Sequence, residues 1–83
     1  MFKLGDMVEW DSGGAPGRYP KCGKIVAVVL PNESPTNAMD AQDIIGYYMM
    51  FNGGPRLHIS YLVLVGNKLY WPRVKGLKKV EGA

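Results

Sequence analysis

At 83 residues the chain has room for one domain and a modest core, near the lower size at which a single core suffices. A hydrophobic fraction of 47% with only 20% charged residues excludes a disordered chain, and eleven Gly with six Pro favour short strands over long helices. The net charge of +3 is uneven: residues 55–83 carry six Lys/Arg against Glu81, whereas residues 1–54 carry four against six acids. An anionic partner near the C-terminal third is the expectation.

The longest apolar run, 25–30, is far short of the roughly 20 residues a membrane helix needs. Residues 1–6 hold a single Lys and no apolar signal region, so no membrane partner and a cytoplasmic location are expected. The lone Cys22 cannot form an internal disulfide, which fits a reducing compartment; it reads as a small half-buried residue at a strand start. With one Cys and one His, neither a metal site nor a cofactor is expected.

In chain order, residues 2–10 give a lead-in, a Gly5-Asp6 turn and a first strand in which Met7 and Glu9 alternate with Val8 and Trp10. Residues 11–21 are a Gly/Pro loop. Residues 23–29 (GKIVAVV) form a β-branched strand whose unbroken apolar run predicts burial on both faces. The polar interruption that follows, 30–43, has room for a short helix within 31–43, with Ser34 as N-cap and Pro35 at its first position. So short a helix has little stability of its own, and a loop is the alternative. Glu33, Asp40 and Asp43 read as solvated charges.

Residues 44–51 (IIGYYMMF) predict a third strand, 52–55 a tight turn, and 56–65 (RLHISYLVLV) a fourth strand hairpinned to the third. Gly66-Asn67 is a two-residue turn into a fifth strand over 68–73, because Gly and Asn tolerate the positive φ that such turns need. Residues 74–83 are a basic C-terminal tail in which Val74, Leu77 and Val80 seal the open end and the last residues fray. The whole reads as one all-β domain over 1–83: a small five-stranded barrel or rolled antiparallel sheet.

Strand alternation then sorts the side chains. Pairing across Gly66-Asn67 sets Val65 opposite Lys68, and pairing across 53–54 sets Phe51 opposite Arg56 and Tyr47 opposite Ser60. One face holds Tyr48, Met50, Leu57, Ile59, Tyr61, Val63, Val65 and Tyr70, a core. The other holds Tyr47, Met49, Phe51, Arg56, His58, Ser60, Leu62, Leu64, Leu69, Trp71 and Arg73. Aromatic rings stack on bases and Arg forks match phosphate oxygens, so this second face suits a nucleotide or single-stranded nucleic acid. Its ligand-binding candidates are Arg56, His58, Ser60, Trp71, Arg73 and Tyr47, joined by Trp10 beside the first loop. Ser12, Arg18, Tyr19 and Lys21 offer further polar, basic and aromatic groups.

Each has a plainer role available: Trp71 as a core residue, His58 as a hydrogen-bonded structural group, Arg56 and Arg73 as partners of Glu9, Asp11 or Asp6. Catalysis needs convergent groups, and His58 with Ser60 lacks a third residue to orient the imidazole. A non-enzymatic binding module for an anionic nucleotide or nucleic acid is the expected function.

The opening, Gly5-Asp6-x-Val8, a long loop, then Gly23-Lys24-Ile25-Val26, resembles SH3-like and KOW-like barrels, in which the first loop often takes part in binding. Over most of its length the pattern GDxVxWxS, KxGKIVAVV, RLHxSYLV and LYWPRV resembles short uncharacterised proteins of bacteria and their phages. That resemblance implies an alternative: a phage or mobile-element anti-defence protein that binds a host defence protein, or sequesters a nucleotide immune signal on the same face buried in a homo-oligomer.

Overall fold

Branched and aromatic residues place six strands in the computed structural model, which describes residues 2–10, 21–39, 45–51 and 54–80. They are β1 (Met7–Trp10), β2 (Lys21–Val29), β3 (Tyr48–Met49), β4 (Ser60–Val65), β5 (Lys68–Tyr70) and β6 (Lys78–Lys79). All lie in one open sheet of order β3-β5-β4-β2-β1-β6. Every pairing is antiparallel except that of β3 with β5. The described residues are thus all-β, with six strands among them where five were expected. Among the described residues no helix is long and apolar enough to cross a membrane.

β2 is the longest strand and serves both sides of the sheet. Its pairing with β4 runs Ile25 to Val63, then Ala27 to Leu62, so Val26 is an extra residue, a β-bulge. Before the bulge Ile25 packs with Val8, Trp10, Tyr61, Val63 and Leu77; after it Ala27 and Val29 pack with Leu62, Leu69 and Trp71. The burial on both faces read from the apolar run is therefore found. Gly23 lets β2 approach β4: a Cβ there would sit 2.5 Å from the Leu64 carbonyl oxygen.

The sheet is strongly curled. β5 and β1 are separated by β4 and β2, so a flat sheet would hold them about 14 Å apart at the usual strand spacing. Yet the rings of Trp10 on β1 and Tyr70 on β5 meet edge to face, centroids 5.7 Å apart. Lys21 closes the same gap, its Nζ donating to the Tyr70 hydroxyl at 2.8 Å. Phe2, Val74 and Leu77 pack against this side of the sheet.

The hairpin around Gly66-Asn67 forms as expected, with Val65 opposite Lys68 and a left-handed φ of 61° at Gly66. The hairpin expected across 52–55 does not form. β4 is flanked on one side by β2 and on the other by β5, so β3 has no edge of β4 to join and takes the free edge of β5 instead, in parallel. Tyr48 N–H donates to the Asn67 carbonyl and Met50 N–H to that of Leu69. Residues 56–59 leave the sheet, and β4 starts only at Ser60. Tyr48, Met50, Leu57 and Ile59, expected in the core, are exposed as a result. The turn residues 52–53 lie outside the described residues.

Within 31–43 the structure shows one 3₁₀ turn, Pro35–Ala38, begun by Ser34 without a side-chain cap bond; residues 40–43 lie outside the described residues. A second 3₁₀ turn, Val74–Gly76, bends the chain after β5 and delivers Leu77 to the core and Lys78–Lys79 to the edge of β1. Cys22, expected half-buried, is exposed.

Candidate functional site

Trp71 is the centre of the region that the sequence singled out, and it is core, 6% exposed. Its indole Nε1–H donates to the Ser60 hydroxyl at 2.7 Å, and Ser60 is fully buried. Phe51 meets the ring edge to face, centroids 5.7 Å apart. Over the ring stands Arg56, whose guanidinium carbon lies 3.9 Å from the ring centroid. Arg56 also donates from Nη2 to the Trp71 carbonyl at 2.7 Å and from Nη1 to the Pro72 carbonyl at 3.0 Å. Those carbonyls are free because Pro72 ends the ladder of β5.

Arg56 is thereby fixed at a ring and two carbonyls, with no carboxylate on it among the described residues. Its ordinary pKa is lowered, first by burial and then by the nearby Arg73. The expected pairing of Arg56 and Arg73 with Glu9 or Asp6 is not formed, and Asp11 lies outside the described residues. Asp6 faces Lys79 instead, at 4.0 Å, the sole ion pair among the described residues.

Two concavities flank this arrangement. One, of about 630 Å³, is lined by Arg56, His58, Arg73, Val74 and Lys75. The other, of about 520 Å³, is lined by Arg56, Trp71, Arg73 and Lys75 together with Trp10, Pro72 and Gly76. Arg56, Arg73 and Lys75 belong to both. Described carboxylates line neither.

Of the sequence-derived candidates, the structure thus brings Arg56, His58 and Arg73 around one groove, with His58 and Arg73 exposed. Trp10 reaches the second groove while 8% exposed, its ring belonging to the β1–β5 contact. Ser60 touches neither groove and acts on them only through Trp71. Tyr47 is half-buried against the cluster of Leu62, Leu69 and Trp71. Ser12, Arg18 and Tyr19 lie outside the described residues, and Lys21 is engaged by Tyr70.

Sequence reasoning missed Lys75, Val74 and Gly76. In the sequence Lys75 reads only as one charge of the basic C-terminal tail. The available signal was Pro72 at the end of β5, which forces the chain off the sheet and turns the next residues back across it. Comparison with protein-family models, curated proteins and solved structures returns no match.

Proposed function

We propose that the protein is a non-enzymatic module that binds an anionic nucleotide or nucleic acid at the groove of Arg56, His58, Arg73 and Lys75. The observation that carries this is the fixed guanidinium of Arg56. It faces a second arginine, and no carboxylate neutralises either among the described residues. Like charges held together favour a bound anion, and a donor already ordered by a ring and two carbonyls loses little freedom on binding. Arg73 and Lys75 supply further donors, His58 forms one wall, and Ser60, Trp71 and Tyr47 hold the platform from behind.

The strand order supports reading the curled sheet as an SH3-like barrel. β1, β2, β4 and β5 are consecutive neighbours, and the last strand returns through a 3₁₀ turn to the edge of β1.

The test is native mass spectrometry with absorbance at 260 nm, followed by titration of an oligonucleotide of about ten residues at roughly 50 and 200 mM salt. A copurified nucleotide, or binding that weakens steeply with salt and is lost in Arg73→Ala, supports the reading. Absence of both overturns it.

A second reading, a mobile-element protein that inhibits a host defence protein by direct contact, has one observation in its favour. Tyr48 and Met49 on edge strand β3, and Met50 just after it, are 66%, 40% and 49% exposed, with no charge among them. Tyr47 and Phe51, expected on one face with Met49, pack against the core instead.

A further inference from the structure

The two concavities share Arg56, Arg73 and Lys75, so these cations are the lining the two hollows have in common, and the remaining lining of each is different. Each hollow falls within the range of about 300–1,000 Å³ usual for a small-molecule site. Charge held in common, with separate room in each hollow, is the shape of a particular ligand. Resting on the reading just given, we propose that the site takes a compact molecule with a phosphodiester or diphosphate at its centre and an organic group at each end. The central phosphates sit against Arg56 and Arg73. One organic arm lies along Val74 and His58, the other along the edges of Trp10 and Trp71 above Gly76.

Two observations separate this from its neighbours. A nucleoside monophosphate has its charge at one end, so it would fill one hollow and leave the other to water. A longer nucleic-acid strand needs a basic track with exposed rings for successive bases. Here Trp10 and Trp71 are only 8% and 6% exposed, and the cations are common to both hollows instead of spread along a track. Arg56 adds selectivity for phosphate, because two of its N–H groups are spent on the Pro72 and Trp71 carbonyls and the rest have no partner among the described residues.

The experiment is calorimetric titration with pyrophosphate, ADP, an oligonucleotide of about ten residues, and three two-armed probes: NAD, a linear diadenylate and a cyclic diadenylate. The expected result is that at least one two-armed probe binds roughly tenfold or more tighter than ADP. In Gly76→Leu that probe weakens to the level of ADP while pyrophosphate, which has no organic arm to place, is unchanged. Gly76 is exposed with open space around its Cβ position, so the leucine fills the second hollow without disturbing the fold. If every two-armed probe merely equals ADP, or if Gly76→Leu weakens none of them selectively, the two-armed inference is overturned. If the oligonucleotide alone binds, this inference fails and the broader anion-binding reading stands. If nothing binds, both fail together.

Discussion

The indole N–H of Trp71 is satisfied by the hydroxyl of Ser60, 2.7 Å away in a region where both residues are buried. This bond ties the start of β4 to the residue just beyond β5. It also sets the plane against which Arg56 stands. Ser60→Ala leaves the indole donor buried without an acceptor, a loss of about 1–3 kcal/mol. Urea denaturation should show a lower midpoint with an unchanged slope, and no change would mean that the bond contributes nothing.

Arg56→Lys keeps the charge and loses the fork. A lysine ammonium is a point donor and cannot hold two carbonyls while standing over a ring. The expected cost is about 1–3 kcal/mol in chemical denaturation, from unmet carbonyls as well as lost packing. A variant as stable as the parent would remove Arg56 from the scaffold and leave it a purely ligand-facing group.

Arg73→Glu moves stability and binding in opposite directions. The exposed glutamate would attract Arg56 where the arginine repels it, stabilising the fold by up to about 1 kcal/mol at low salt. Anion binding should disappear in the same protein. The stability gain should shrink as salt rises, since the pair is open to solvent. pH is the wrong variable for this experiment: the Arg56 pKa is lowered in the folded state, so the penalty of its charge is fully present below that pKa and is relieved only as pH rises through it.

Gly23→Ala drives a methyl group into the Leu64 carbonyl oxygen at 2.5 Å and against Val63 and Val65 at 2.8 Å. Backbone cannot rotate away as a side chain can, so β2 and β4 must separate locally, at about 1–3 kcal/mol or more. Thermal unfolding measures this directly. Gly76→Ala is the control, with open space around the added atom and little expected effect.

Local chemistry made much of this fold legible in the sequence. Gly66-Asn67 announces its own turn, and once Val65 faces Lys68 the alternation of Tyr61, Val63 and Tyr70 against Leu62, Leu69 and Trp71 follows. The partner of β3 was not legible, because pairing depends on which edge is free once β2 has claimed β4. That competition involves residues more than thirty positions apart, and no turn signal at 52–55 reports it. The candidate site suffered from the same gap. Its charges were visible, but Ser60 and Trp71 read as ligand-facing only while the second face was taken to be open. Tyr47, Phe51, Ala38 and Met39 cover it, so the alternation was right for the hairpin and the exposure was wrong.

The extra residue at Val26 works like a shift of reading frame. Up to Ile25 the odd positions of β2 point to one side of the sheet; from Ala27 onward they point to the other. Exchanging Val26 for another apolar residue alters one contact. Deleting it would leave a regular ladder in which Ala27, Val28 and Val29 keep Leu62, Tyr61 and Ser60 as partners and stay on their sides of the sheet. Val26 is therefore the residue of this strand that the alternation can spare.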